Sequence, residues 1–132
     1  MLKILTVDDN DTQRQMMTEL LGRAGFQVTT AATGNEAISR SVMDTPDVIL
    51  LDVNLPDISG YEVCRQIMAD VKTASIPIVF FTGEMNGAAK NHADMAGAAA
   101  FLTYPVEVSH LKTVIESVVA KARVRDELRH IS

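Results

Sequence analysis

Three carboxylates follow apolar segments of this chain, at points where such segments are typically strands that end. Asp8 and Asp9 follow Leu2–Val7, and Asp52 follows Val48–Leu51. Carboxylates that gather at one edge of a sheet repel one another and raise each other's proton affinity. A hard divalent cation relieves this repulsion, and Mg²⁺ typically takes one or two carboxylates and completes its shell with water and phosphate oxygens. The three acids therefore predict a metal-assisted phosphate site.

Helix capping is the simpler explanation for the first two acids. Asp and Asn at a helix start accept hydrogen bonds from N–H groups that have no partner within the helix. One residue suffices for this, and Asn10 with Gln13, or Asp11 alone, is placed to do it. Asp8 and Asp9 precede that cap, and the third acid follows a different segment, so capping does not account for the set.

Short β-type runs alternate with helical spacing along the chain, and this pattern positions the acids. The predicted strands are Leu2–Val7, Phe26–Thr30, Val48–Leu51, Ile76–Phe81 and Ala99–Leu102. Five β–α units with apolar strands predict a parallel sheet covered on both faces, which is a doubly wound α/β domain. Such sheets bind ligands outside the carboxyl ends of their strands. Thr82 and the Tyr104-Pro105 step follow the last two strands at this edge.

The helical segments carry capping signals and one apolar face each. Thr33 with Glu36, and Ser59 with Glu62, form capping boxes for the second and third helices. The buried face of the third helix is predicted to consist of Tyr61, Cys64, Ile67, Met68 and Val71. The face of the fifth helix is predicted to consist of Leu111, Ile115, Val118 and Ala122. On this stripe the lone Cys64 is a packing residue.

Composition narrows the class of protein. The 132 residues suffice for one domain with its own core. A net charge of −5 disfavours non-specific binding to nucleic acid or to an anionic membrane. One cysteine excludes an intrachain disulfide, and no apolar run approaches the length of a membrane span. We therefore expect a cytoplasmic protein with no direct nucleic-acid or membrane partner.

Four segments together resemble the receiver domain of two-component response regulators (CheY-like). They read ILTVDDN, DVILLDVNLPDISGYEVCRQI, IPIVFFTGE and GAAAFLTYPVE, in the family's order and spacing from about Leu2 to about Lys121. The resemblance implies a flavodoxin-like five-stranded parallel sheet of order 2-1-3-4-5 with five helices. It also implies a signalling domain in a phosphorelay rather than an enzyme, apart from its own phosphorylation and dephosphorylation.

The resemblance assigns roles at the strand ends. Asp52 would be the phosphoacceptor, forming an aspartyl phosphate with a group taken from a sensor histidine kinase. The implied Mg²⁺ ligands are Asp8 (through water), Asp9, Asp52 and the carbonyl of Asn54. The implied phosphate-binding and switch residues are Thr82, Phe101 and Tyr104, with Pro105 as a candidate cis proline. Asn54 and Glu84 stand where the family tunes the lifetime of the phosphate. Simpler explanations exist for two of these residues, since Thr82 could begin a loop and Phe101 could be a core aromatic.

Position 104 departs from the family pattern. The family places a lysine before the proline, whereas this chain has Tyr104, whose phenol has a reference pKa near ~10 and is uncharged at neutral pH. Losing a charge-assisted hydrogen bond would cost the phosphorylated state roughly 1.5–3 kcal/mol. No substitute cation is evident, because Lys3 begins the first strand at the opposite end and Lys90 lies in the weakest helical segment. We expect Asp52 to remain phosphorylatable while the switch is weakened.

The C-terminal segment carries a second apolar pattern. Val124, Leu128 and Ile131 recur on the side of the helix opposite to its predicted core face. We expect a receiver domain over residues 1–121 and, over 122–132, a helical extension or the start of a linker to an absent output domain. The extension is either a frayed helix end or a surface for dimerisation. A homodimer could also use the face of helix 4, strand 5 and helix 5.

Three other classes of protein share parts of this pattern. An aspartate-based phosphohydrolase needs a second acid two residues after the nucleophile, and Asn54 stands there. A flavin or nucleotide module would offer phosphate hydroxyls and glycine N–H groups rather than carboxylates. The remaining alternative is a degenerate receiver that binds proteins without phosphorylation, from which the main hypothesis differs only at Tyr104.

Overall fold

The computed structural model describes residues 1–83 and 87–131, with the side chains of 1–83 and 90–128. The strands are β1 Lys3–Val7, β2 Gln27–Ala31, β3 Val48–Leu51, β4 Ile78–Thr82 and β5 Ala100–Thr103. The helices are α1 Asp11–Arg23, α2 Gly34–Met43, α3 Gly60–Ala69, α4 Gly87–Ala96 and α5 Val108–Ile131. All strand pairs are parallel in the order β2-β1-β3-β4-β5, which confirms the expected fold.

Helices cover both faces of the sheet. Side chains of β3 point alternately to the two faces, and all four of its residues are buried. Ile49 and Leu51 pack with residues of α2, α3 and α4, whereas Val48 and Leu50 pack with residues of α1 and α5. A strand that is apolar on both faces is expected at the centre of a parallel sheet. Its carboxyl end is therefore surrounded by other strand ends.

Side-chain caps begin the first three helices at the residues that the sequence indicates. The side-chain oxygens of the caps accept backbone N–H groups three residues on, in the pairs Asn10 with Gln13, Thr33 with Glu36 and Ser59 with Glu62. The reverse half of the capping boxes differs from expectation, because Glu36 accepts from Ala32 and Glu62 bonds Arg65 and Gln66. With Asn10 as the cap, Asp8 and Asp9 are free for another role.

The predicted face of α3 is correct in its centre and wrong at its end. Cys64 and Ile67 are buried, while Tyr61 and Met68 are half-buried against the same core. Val71 was expected on this face, but α3 ends at Ala69 and Val71 is 91% exposed. The periodicity continued in the sequence beyond the residue at which the helix ends.

Helix α5 continues past the core without interruption. Its four predicted core residues are buried, and the helix runs on to Ile131. Val124 and Leu128 are 55% and 59% exposed, so this pair faces away from the core as its spacing indicates. The side chain of Ile131 lies outside the described residues. Among the helices described, none is long and apolar enough to span a membrane.

Candidate functional site

The three acids meet at the carboxyl edge of the sheet. One carboxylate oxygen from each of Asp8, Asp9 and Asp52 lies within 4.8 Å of the others. The sheet hydrogen bonding continues past the strands and fixes this geometry, since the Asp52 N–H donates to the Val7 carbonyl at 3.0 Å. The Asp8 N–H donates in the same way to Ala31, at 3.1 Å. Asp8 and Asp52 are buried and Asp9 is exposed, so the cluster opens on one side to solvent.

The surroundings of Asp52 disfavour its charged form. Burial, and then the neighbouring charge of Asp8, raise the pKa of the Asp52 carboxyl above its ordinary value. Hydrogen bonds from the Thr82 hydroxyl and from the N–H groups of Asn54 and Val53 oppose this rise. A carboxylate held close to like charges has an unfavourable energy that a cation relieves.

The pKa of the Asp8 carboxyl is also raised above its ordinary value, against influences that lower it. Burial is the main cause that raises the pKa of the Asp8 carboxyl, and the charge of Asp9 adds to it. The Asn10 N–H, which donates to Asp8 Oδ1 at 2.9 Å, and the charge of Arg14 lower the pKa. All three carboxylates supply the oxygen ligands that Mg²⁺ requires, and their mutual distance suits a shared ion. The residues present therefore fit a magnesium site.

Thr82 lies inside the site and does not merely begin a loop. It is the last residue of β4, is 1% exposed, and its side chain is hydrogen-bonded to the Asp52 carboxylate. In parallel sheets the ends of adjacent strands lie side by side, and β4 is adjacent to β3. A hydroxyl donor thus faces the central carboxylate.

The Tyr104 phenol borders the acid cluster and also reaches the core. Its ring packs against Phe81, with ring centroids 5.2 Å apart. A Cβ placed on Gly83 would lie 3.0 Å from Tyr104 Cε2, so the ring covers the residue that follows Thr82. Burial, then the charges of Asp52 and Asp8, raise the pKa of the phenol, while a hydrogen bond from the Gly83 backbone lowers it. The Tyr104–Pro105 peptide bond is cis.

Phe101 and Asn54 were also predicted site residues, and they lie outside the acid cluster. Phe101 is half-buried and packs near Phe80, with centroids 6.3 Å apart, in the core beneath α3 and α4. Asn54 is exposed, and its N–H is bonded to the Asp52 carboxylate. Glu84 lies outside the described residues. Phe101 therefore occupies a core position, and its contacts alone give it no role in the site.

Arg14 was missed by the sequence reasoning. Its Nη1 donates to the Asp8 carbonyl at 2.7 Å, and its Nη2 forms an ion pair with Asp11. No substitute cation was evident from the sequence, and the structure places the Arg14 guanidinium beside Asp8. Lys3 begins β1 at the far end of the sheet and Lys90 is exposed on α4, as expected. The available signal was the position of Arg14 one turn after the Asn10 cap, because side chains of a helix tilt toward its N-terminus and can reach the residues that precede it.

The β3–α3 connection is tightly held beside Asp52. The Gly60 N–H donates to the Val53 carbonyl at 2.8 Å, and a Cβ on Gly60 would lie 2.2 Å from the Asp52 carbonyl oxygen. The two carboxylate oxygens of Asp57 accept the N–H groups of Gly34 and Asn35, each at 2.8 Å. These two hydrogen bonds join the connection to the start of α2, and no pattern in the sequence indicates them.

Fold and site together define a class of protein. A doubly wound parallel sheet that gathers three carboxylates and a threonine at its strand ends is an α/β domain with an acidic site suited to a metal and a phosphoryl group. The family model of the response regulator receiver domain matches residues 4–116. The chain therefore belongs to this family of two-component signalling domains.

Individual relatives agree with this assignment. Protein PilH of Pseudomonas aeruginosa is 32% identical over 120 residues, which cover 91% of this chain and 99% of that protein. The crystal structure of chemotaxis protein CheY4 of Vibrio cholerae has a TM-score of 0.83 at 33% identity, covering 89% of this chain and 98% of the other. Other response regulators that match are longer, and the chain spans 28% of one and 50% of another.

One solved structure contains a metal. The receiver domain of sensor histidine kinase PA1611 of Pseudomonas aeruginosa has a magnesium ion coordinated in its active-site cleft. It is 26% identical to this chain, with a TM-score of 0.84, and the match covers 90% of this chain and 98% of that one. Receiver domains bind Mg²⁺ at their acidic site, and the acid cluster of this chain could hold such an ion.

Proposed function

We propose that this chain accepts a phosphoryl group on Asp52 from a sensor histidine kinase and transmits the signal to a downstream protein or output domain. The observation that carries the proposal is the position of the Asp52 carboxylate, buried between Asp8 and the Thr82 hydroxyl at the open edge of the sheet. A carboxylate nucleophile forms a covalent phosphoryl intermediate when neighbouring groups balance the charge.

The residues of the site divide the chemistry among them. A carboxylate oxygen of Asp52 attacks phosphorus, the bond from phosphorus to the histidine nitrogen breaks, and the imidazole leaves with the electron pair. Asp9, Asp52 and the Asn54 carbonyl would hold Mg²⁺ directly, and Asp8 would hold it through water. When bound, the ion supplies positive charge to the phosphoryl oxygens. The Thr82 hydroxyl, which already donates to Asp52, then donates to a phosphoryl oxygen.

Tyr104 would weaken the link between the phosphate and the fold. The phenol is neutral at pH 7 and can give a phosphoryl oxygen one neutral hydrogen bond, whereas an ammonium group would give a charge-assisted one. The difference is roughly 1–1.5 kcal/mol against the phosphorylated state. Phe101 would turn inward behind Thr82 as the switch aromatic, and Asn54 and Glu84 would tune the lifetime of the phosphate. The lack of an ammonium group makes Mg²⁺ more necessary for relieving the carboxylates.

Intact-protein mass spectrometry tests the acceptor. The chain is incubated with a small acyl phosphate, with and without saturating Mg²⁺, and the modified residue is located by peptide mapping. We expect one phosphoryl adduct on Asp52 that depends on Mg²⁺, and none in Asp52→Asn. Asp94→Asn is the matched control, because Asp94 is an exposed carboxylate on α4 outside the cluster. An unmodified Asp52 under saturating conditions contradicts the proposal.

A phosphorylation-independent binding module is the second candidate function, and the phenol at position 104 favours it. In that case partner binding does not require an acceptor, so Asp52→Asn would bind a downstream partner as tightly as the unmodified wild type does. The main proposal expects the phosphorylated wild type to bind more tightly than both.

The C-terminal end of α5 is the proposed site of contact with a second copy or an output domain. We propose a receiver domain over 1–121 and an extension over 122–132, because Val124 and Leu128 expose apolar side chains beyond the core. The face of α4, β5 and α5 is the other proposed dimer surface. Sedimentation of the full chain and of a truncation at Ala122 tests the extension, which is contradicted if both have the same oligomeric state.

A further inference from the structure

Arg14 is held beside the acid cluster by two contacts of different kinds. Its Nη1 bonds the Asp8 carbonyl at 2.7 Å, and its Nη2 pairs with Asp11 at the first residue of α1. The side chain is 19% exposed, which is low for an arginine on a helix surface. Its charge lowers the pKa of the Asp8 carboxyl, a member of the cluster, and is the smallest of the four influences on that group. The guanidinium is therefore fixed in place and not merely solvated nearby.

Arg65 shows what an arginine in an ion pair of the same i, i+3 spacing does away from the acid cluster. It pairs with Glu62 at 3.1 Å in the first turns of α3, in the same i, i+3 arrangement that Arg14 makes with Asp11. Its side chain is 55% exposed, and Glu62 is not a member of the acid cluster. The two ion pairs are alike, so what distinguishes Arg14 is its bond to the backbone that carries Asp8.

We propose that Arg14 is a positioning residue that supplies to the acid cluster a fixed positive charge, in partial replacement of the ammonium group missing at position 104. The inference rests on the proposed phosphoacceptor function. The charge belongs to a guanidinium group that the two contacts described above hold in place. Arg14 binds the residue that follows β1, whereas Tyr104 follows β5, and these two strands lie on opposite sides of β3, so the two side chains flank the cluster on opposite sides.

A fixed charge has opposite effects on the two states of the site. It relieves repulsion among the free carboxylates, and it therefore competes with Mg²⁺ for them. It also stabilises the additional negative charge that arrives when Asp52 is phosphorylated. Removing it should tighten Mg²⁺ binding and, at saturating Mg²⁺, reduce phosphorylation. If Arg14 only maintained the conformation of the β1–α1 connection, its removal would weaken both Mg²⁺ binding and phosphorylation.

Calorimetric titration with Mg²⁺ alone tests the first effect without any phosphoryl donor. We expect Arg14→Met to bind Mg²⁺ about threefold more tightly than wild type, the size expected for one partly screened charge. Arg14→Lys keeps the charge and should bind within about twofold of wild type, and Arg65→Met should be unchanged. Weaker or unchanged Mg²⁺ binding in Arg14→Met overturns the proposal. Circular dichroism and thermal melting of each variant verify that it is folded.

Phosphorylation at saturating Mg²⁺ tests the second effect. We expect the steady-state fraction of modified protein, at a limiting acyl phosphate concentration, to fall about threefold in Arg14→Met. Adding Tyr104→Lys to Arg14→Met should restore it, because either charge serves the same cluster. An equal loss in Arg14→Lys, or no restoration by Tyr104→Lys, overturns the proposal.

The Mg²⁺ titration and the phosphorylation assay together distinguish a failure of this inference from a failure of the proposed function. If wild type takes no phosphoryl group at all, the phosphoacceptor function fails, whereas the Mg²⁺ titration still measures the charge of Arg14. If wild type is phosphorylated and the variants behave alike in both arms, the phosphoacceptor function stands and the role of Arg14 fails.

Discussion

Two connections at the carboxyl edge of the sheet are held in different ways. The β3–α3 connection, residues 52–59, is held by bonds to main-chain atoms: the Gly60 N–H donates to the Val53 carbonyl, and the Asp57 carboxylate accepts two N–H groups of α2. The β5–α5 connection, residues 104–107, places the ring of Tyr104 on Phe81 and Gly83. One side of the site is therefore positioned by hydrogen bonds to main-chain atoms, and the other by the packing of an aromatic ring.

This difference predicts which of the two connections tolerates substitution. Backbone contacts cannot be relieved by a rotamer change, so substitutions in the β3–α3 connection should affect the position of the nucleophile and the stability together. A side chain that covers the opposite flank can be exchanged for another of similar length, with its charge as the main variable. Tyr104 is such an exchange relative to the family pattern.

Gly60→Ala should have the largest effect on stability. The new Cβ would lie 2.2 Å from the Asp52 carbonyl oxygen and 3.0 Å from Val53 Cα, and both are backbone atoms that cannot move independently. We expect a loss of about 3 kcal/mol in the free energy of unfolding, at the upper end of overpacking costs. Urea denaturation measures it, and a midpoint equal to that of wild type would show that the connection is looser than its contacts indicate.

Tyr104→Lys should have the largest effect on the phosphorylated state. An ammonium group near Asp52 replaces a neutral hydrogen bond with a charge-assisted one, so the acyl phosphate concentration for half-maximal phosphorylation should fall about tenfold. Tyr104→Phe is the matched control, since it keeps the ring over Gly83 and removes only the hydroxyl. Equal behaviour of the Lys and Phe variants would mean that the charge at this position has no influence on the phosphate.

Asp57→Asn should weaken the fold in a pH-dependent way. Hydrogen bonds from the Asn35 and Gly34 N–H groups lower the pKa of the Asp57 carboxyl. A lowered folded-state pKa gives stability above the unfolded-state value of about 3.9, and this stability is lost as the pH falls through the folded-state pKa. The variant should therefore melt below wild type at pH 7, and the gap should close in acid below about pH 4.

Thermal melting from pH 7 to pH 3 measures this gap. Asp94→Asn on α4 is the control, because Asp94 is also exposed and lies away from α2. If the two variants melt alike at every pH, the predicted stabilisation by the hydrogen bonds of Asp57 to α2 is contradicted.

Much of the fold and of the acid cluster followed from the sequence, for a definite physical reason. Parallel strands bury both faces, so they read as apolar runs, and their carboxyl ends must meet at one edge. That rule alone brought Asp8, Asp9 and Asp52 together. Val71 was misplaced because apolar periodicity carries no information about where a helix stops, and α3 ends two residues earlier.

Contacts made by long side chains and by loops were not predictable in the same way. Arg14 reaches back to the Asp8 carbonyl, and only its rotamer decides between this contact and solvent. Asp57 binds residues that are more than twenty positions away in sequence, so its role depends on how the β3–α3 connection folds over α2. The spacing of residues in the sequence indicated which residues lie at the carboxyl edge of the sheet. It did not indicate which side chains there form hydrogen bonds with neighbouring segments.

Gly22→Ala should have the smallest effect, with the opposite sign to Gly60→Ala. Gly22 lies within α1, and a Cβ there would meet nothing within 4 Å. Alanine in a helix interior is favoured over glycine by roughly 0.5–1 kcal/mol, because glycine loses more backbone entropy on folding. We expect a slightly higher urea midpoint and no change in Mg²⁺ affinity. A destabilised Gly22→Ala variant would mean that the penalty at Gly60 reflects glycine replacement in general, whereas a stabilised one assigns it to the contact with the Asp52 carbonyl.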